Sequence, residues 1–261
     1  MNADQHELRH ADLPNRTIVE YISPIGLALA IGSGLSAVIS GLGTRWGWWY
    51  FTTGFMILRW SAVAGLLAAL ISLTGGIFAG WEIRRGGVAI VLAGLLIGAV
   101  VAGIPWSLMQ TAKQVPRIHD ITTDMEDPPR FLSILPLRKD APNSPEYGGP
   151  KIALQQRAGY PDIQPLVLPI PVESAFERAL QAARDMGWNI VDASAKTGRI
   201  EATDRTFWFG FTDDIVVRIT PLPGLSKIDV RSVSRVGLSD IGTNAKRIRE
   251  FLSRVSRAGA N

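Results

Sequence analysis

The chain has 261 residues, with 27 Lys and Arg against 23 Asp and Glu, 47% hydrophobic residues and no cysteine. The absence of cysteine excludes disulfides, Cys-ligated zinc, iron–sulfur clusters and a thiol nucleophile, and a net charge of +4 without any dense Lys/Arg run argues against nucleic acid as a partner. The mean hydropathy is positive, +0.16, and the apolar residues crowd into about the first 110 positions, so the two halves of the chain are suited to lipid and to water.

Residues 1–21 form a polar tail of mixed charge. It lacks the short basic start and immediate apolar stretch of a cleavable signal peptide, so the first apolar segment reads as a retained anchor. Segments 22–42, 60–80 and 88–109 carry no ionisable side chain. Each has about the 20 residues that a helix needs to cross a bilayer core, which predicts three transmembrane helices within 22–109. Small residues recur every fourth position: Gly26, Ala30 and Gly34; Ala64, Ala68, Ser72, Gly76 and Gly80; Gly94, Gly98 and Ala102. Such stripes let helix backbones approach closely, in a three-helix bundle or in a homo-oligomer.

The aromatic stretch 43–59 between the first two spans predicts an interfacial loop, with Trp46, Trp48 and Trp49 at headgroup level and Trp60, Trp81 and Trp106 in the same belt. Arg84 and Arg85 lie between the second and third spans, and Arg9 and Arg16 precede the first. Placing both groups inside puts the C-terminal half outside the cytoplasm, although Arg45, Arg59, Lys113 and Arg117 then flank the outer face. Spans without ionisable residues argue against a channel or a pump. The expected partner of this half is the lipid bilayer.

Eleven of the 16 prolines lie between Pro116 and Pro171. Segment 110–165 is therefore expected to run extended over a soluble domain, with a helical turn or two around 151–158, and to dock through Ile118, Ile121, Phe131, Ile134 and Leu135. Residues 166–261 predict an α+β domain. A strand at 166–168 precedes a helix with Val172, Ala175, Phe176, Ala179, Leu180 and Ala183 on one face, begun at Pro171 and stopped at Gly187. Strands follow at about 188–194, 199–207, 214–220 and 227–235, then a helix over 243–257. The order β-α-β4-α gives an antiparallel meander with two helices on one face.

The segments IHDITTD (118–124), PPRF (128–131), TGRIEATDRTFWFGFTDDIVVRI (197–219) and RSVSRVGLSDIGTNAKRIREF (231–251) resemble the DUF1499 family, a domain of unknown function. The membrane half, with GLGTRWGWWYFTTGFMILRW, is similar to that of longer bacterial members. Shorter members carry a Ser-Pro-Asn-Cys segment where this chain has APNSPEYGG (141–149), so no role of that cysteine transfers. The resemblance implies an extracytoplasmic domain on a bacterial inner membrane and supplies no catalytic residues.

Three residue groups could carry chemistry. His119, Asp120 and Asp124, with Asp127, offer ligands to a hard cation, or simply solvate a Pro-rich turn. Asp204, Asp213 and Asp214 bracket the aromatic tip 207–211 and could serve acid/base chemistry, or form charged cross-strand pairs. Ser239, Asp240, Gly242, Thr243 and Asn244 precede the last helix, where they can cap it or meet an anion.

If both helices cover the face carrying Ile215, Val217, Ile219, Ile228 and Val230, parity turns Arg218, Asp229 and Arg231 outward, together with Arg199, Glu201 and Arg205. Of these, Arg205, Arg218, Asp229 and Arg231, with Arg235, Asp240 and Asn244, make the predicted binding surface. The tip residue Trp208 is expected either to seal the soluble core or to touch the bilayer surface. No nucleophile elbow, zinc-protease or Walker motif occurs. The reading is a membrane-anchored periplasmic binding or scaffold domain for another envelope component, without a cofactor. A small carboxylate-dependent hydrolase and a lipid or hydrophobic-ligand carrier are the alternatives.

Overall fold

The computed structural model describes residues 13–79 and 85–258. Three helices come first: α1 (Leu13–Arg45), α2 (Phe51–Ala79) and α3 (Arg85–Gln114). Their apolar parts, Tyr21–Arg45, Phe51–Phe78 and Gly86–Gln114, are long and apolar enough to cross a membrane. They outrun the predicted spans. The stretch expected to be an interfacial loop shrinks to the turn at 46–50, because the following residues join α2. Nothing in 51–59 breaks a helix except Gly54, and an apolar setting favours continued backbone pairing. Trp46 and Trp48 are exposed at that turn, whereas the indole of Trp49 donates to the Ser40 carbonyl at 3.1 Å. Arg9, Trp81 and Arg84, and the side chains of Arg16 and Arg85, lie outside the described residues.

Gly80 lies outside the described residues, and the rest of the small-residue stripes contribute to contacts between this chain's own helices. Ala30, Ala68 and Ser72 are fully buried. A Cβ on Gly26 would stand 2.9 Å from the Ser72 amide nitrogen, and one on Gly98 would stand 2.9 Å from that of Ala69. Only hydrogen fits at these crossings. The helical unit also takes in Trp208–Gly210. Within it the Trp208 indole donates to the Val38 carbonyl at 3.1 Å, and the Phe209 ring lies 4.9 Å from that of Phe55.

The second unit is an α+β domain. It comprises β1 (Asp120–Thr122), a 3-10 turn (Leu135–Arg138), α4 (Pro150–Gly159), β2 (Leu166–Leu168), α5 (Val172–Asp185), β3 (Asn189–Ser194), β4 (Arg199–Arg205), β5 (Thr212–Leu222), β6 (Leu225–Ser234) and α6 (Thr243–Arg257). Strands β3 to β6 form the predicted antiparallel meander. Beyond β6 the edge is completed by two short strands end to end, β2 against Ser226–Ile228 and β1 against Arg231–Val233. Strand β1 comes from the Pro-rich segment and was not predicted as a strand.

Helices α5 and α6 cover one face, where Ile200, Ile215, Val217, Ile228 and Val230 meet Phe176, Ala179, Ile248 and Phe251. Trp188 stacks on Phe251 with ring centroids 5.0 Å apart. Helix α5 ends as its sequence predicts, with Gly187 in the left-handed region at φ 75°. Ile118 and Ile121 of the Pro-rich segment join this core. Phe131 and Ile134 pack on the opposite face against Val216 and Val233. Leu135 stays exposed and does not dock.

Candidate functional site

Strand parity places Asp214, Val216 and Arg218 of β5, and Asp229, Arg231 and Val233 of β6, on the face away from α5 and α6. That is the predicted register. The predicted openness is corrected, however. Segment 123–149 lies over this face, so Asp229 is 0% exposed, Arg231 2% and Glu201 0%.

The chemistry of proline explains why the charges are covered. Pro128, Pro129, Pro136, Pro142 and Pro145 interrupt the N–H series of this segment, so it forms no strand over the face, while its carbonyls still need donors. Arginine carries five donors and no acceptor. Arg231 donates to the Pro129 and Pro145 carbonyls at 3.3 and 2.8 Å. Arg138 donates to the Asn143 carbonyl at 3.0 Å and Arg235 to that of Leu137 at 2.8 Å. The amides that the segment does possess turn to a carboxylate: Leu132 and Ile134 donate to Glu201 at 2.8 and 2.9 Å.

Carboxylates neutralise the same arginines. Asp120 takes a two-pronged contact from Arg231, at 2.9 and 2.7 Å, and Phe131 and Tyr147 flank that guanidinium with centroids at 5.2 and 5.6 Å. Asp214 is held from two sides, by Arg138 and by Arg235, the latter at 2.9 and 2.8 Å. Asp229 receives Arg218 at 3.0 Å and Lys227 at 3.3 Å. Burial would raise the Asp124 carboxyl, but the Asp127 amide, Lys227 and the Glu126 amide outweigh it and lower its pKa. Burial alone would likewise lower Arg218, yet Asp229 and Asp127 raise it above its ordinary value.

The predicted catalytic carboxylates do not converge. Asp213 and Asp204 meet Arg247 of α6, at 2.7 and 2.8 Å, while Asp214 lies on the other face of the sheet. Adjacent residues of a strand point to opposite faces, which separates Asp213 from Asp214. Arg247 also donates to the Asn244 carboxamide and to Ser232 at 3.1 Å. Asn244, predicted as surface, is 0% exposed. Its amide nitrogen donates to Asp240 and its carboxamide donates to the His119 carbonyl at 3.0 Å. Asp240 also accepts the Gly242 amide at 3.1 Å, so these residues begin α6. Burial raises the Asp240 carboxyl above its ordinary range.

His119, Asp120 and Asp124 do not gather either, since the two carboxylates are spent on Arg231 and on Lys227 with Arg218. Among the described residues no group of three or more His, Cys, Asp or Glu side chains could hold a metal ion. Arg205 lies exposed at the end of β4.

Among the described residues, open clefts of mixed lining lie beside the covering segment. One, of about 450 Å³, is lined by Asp124, Glu126, Arg157, Gln164 and Lys227 among others. The second, of about 240 Å³, is lined by Asp127, Arg130, Thr197, Arg199, Val216 and Arg218 with Pro128 and Pro129. Arg130, Arg138 and Arg247 were missed in the sequence. The last was legible: it falls on the buried stripe of α6 with Asn244, Ile248 and Phe251, where an arginine must find carboxylates.

No curated protein matches the chain. A family model described as protein of unknown function (DUF1499) matches residues 120–255, from the first strand of the sheet into its last helix. That match spans more than half of the sequence, and it takes in the covering segment as well as the sheet: the chain belongs to the DUF1499 family.

Proposed function

We propose that this protein is a non-catalytic, membrane-anchored binding domain that works outside the cytoplasm and engages another envelope component through the cleft-bearing side of its sheet. The observation that carries this reading is the use of the carboxylates. Asp213 and Asp204 are tied to Arg247, and Asp214 to Arg138 and Arg235, on opposite faces of one sheet. Carboxylates fixed this way build a rigid surface and do not flank a shared cleft as an acid/base pair would. The helix-side core is filled by Phe176, Trp188 and Phe251, which favours a binding surface over a carrier cavity.

Two measurements test the reading. A reporter that works only in the periplasm, fused to the C-terminal end, is expected to be active; activity of a cytoplasm-only reporter there would overturn the location. A photo-crosslinking residue at Glu126 is expected to give a discrete adduct in intact cells, and one at Arg184 on α5 none. Hydrolysis of a model ester or phosphoester by the full-length protein, abolished by Asp213→Asn, would instead establish the hydrolase.

A further inference from the structure

The smaller cleft contains a charge arrangement that the fold itself does not need. Arg199 of β4 and Arg218 of β5 are direct cross-strand partners on the face away from the helices. Like charges directly opposite each other in an antiparallel pair are destabilising unless something between them is negative. Arg218 has its counter-charges in Asp124, Asp127 and Asp229. Arg199 is much less well served. Its Nε lies 3.3 Å from a Glu201 oxygen without hydrogen-bond geometry, and that buried nitrogen has no other partner. Both Glu201 oxygens already accept backbone amides of the covering segment. Arg130, from the covering segment, is a third arginine in the lining of the same cleft and is itself exposed.

We infer that the cleft between Arg130, Arg199 and Arg218 binds a phosphate group. Guanidinium groups are planar forks of donors suited to phosphate oxygens. Here they come from three separate places, the covering segment and two strands, which suits a tetrahedral anion with oxygens on several sides better than a flat carboxylate. Thr197 lies in the same lining, and about 240 Å³ admits a phosphate with a small substituent. Of the lining residues, Asp127 carries the opposing charge. It sits on the rim, with its side chain 73% exposed, and shares Arg218, so an incoming phosphate competes with it. The inference rests on reading the soluble unit as a binding domain, and it adds the ligand's chemistry. The phosphate can belong to a soluble ester or to a lipid headgroup.

The test uses the full-length protein in neutral detergent, titrated with inorganic phosphate at constant ionic strength against chloride, with binding read by calorimetry. Saturable binding is expected. It should weaken by about tenfold in Arg199→Gln and in Arg130→Gln, the loss expected for one charge-assisted contact. It should tighten in Asp127→Asn and stay unchanged in Arg184→Gln. Dihexanoyl phosphatidic acid binding more tightly than glycerol 3-phosphate would support a lipid headgroup as the source; equal affinities would support a soluble ester. No saturable binding, or equal binding by both arginine variants and the parent, would overturn the inference. The crosslinking result is independent of that outcome, so the cleft's ligand can fail while the binding-domain reading stands.

Discussion

Gln156 on α4 pairs with the backbone of Thr122 in β1 as a neighbouring strand would. Its carboxamide oxygen accepts the Thr122 amide at 3.0 Å and its nitrogen donates to the Thr122 carbonyl at 2.6 Å. Both residues are 0% exposed. One side chain thus closes the edge of the sheet at β1, beyond which no further strand pairs among the described residues. Gln156→Ala removes both bonds and strands a buried amide and carbonyl, at a cost of about 2–4 kcal/mol. Hydrogen exchange on the full-length protein should show faster exchange at Thr122 and along β1. Unchanged protection of Thr122 would mean that other contacts hold this edge.

Arg231 and Asp120 form an ion pair with side chains only 2% and 6% exposed. Asp120→Ala leaves the guanidinium buried without its carboxylate and should cost about 3–5 kcal/mol. Asp120→Leu combined with Arg231→Met removes both charges and should cost clearly less than the two single changes added together. Denaturant unfolding of the four proteins measures this coupling. Simple additivity would show that the pair does not act as a unit.

His119 is held below its ordinary value of 6.5, first by burial and then by the charges of Arg138 and Arg231, against the opposing pull of Asp120. The fold therefore prefers the neutral imidazole. Its contribution to stability is full above about pH 6.5 and is lost as pH falls through the lower folded value. Asp124 is also lowered, so its contribution is full above its ordinary 3.8 and is lost in a more acidic window. Thermal midpoints followed downward from pH 7 should decline first in the His119 window. His119→Gln should flatten that decline and leave the more acidic one. Identical profiles for both proteins would remove His119 from the account.

Glycines within the membrane helices should differ in their tolerance of a larger side chain. A Cβ on Gly98 would press on the Gly65 carbonyl and the Ala69 amide, whereas one on Gly32 meets nothing within 4 Å. Gly98→Val should destabilise by about 1–3 kcal/mol, as overpacking does, and Gly32→Val by much less. Melting of the two variants in detergent separates them. Equal losses would mean that the helix crossing is not as close as these contacts imply.

The sequence by itself determined the solvent of each half and most of the elements. Runs of about 20 residues without an ionisable group have few stable outcomes other than spanning helices. Period-2 alternation in β5 and β6, and the apolar stripes of α5 and α6, determined the meander and the face that its helices cover. These are local signals, written within one turn or one strand. Tertiary structure alone decided what became of the charged face. Parity sends Arg218, Asp229 and Arg231 away from the helices, but it cannot say whether water or protein waits there. Protein does, because a proline-rich segment needs donors for its carbonyls and finds them in arginines about a hundred residues further along the chain. The pairing of Gln156 with Thr122, the separation of Asp213 from Asp214, and the meeting of Arg130, Arg199 and Arg218 in one cleft are likewise long-range. Each depends on which segments end up side by side, and a single sequence carries no periodicity that encodes it.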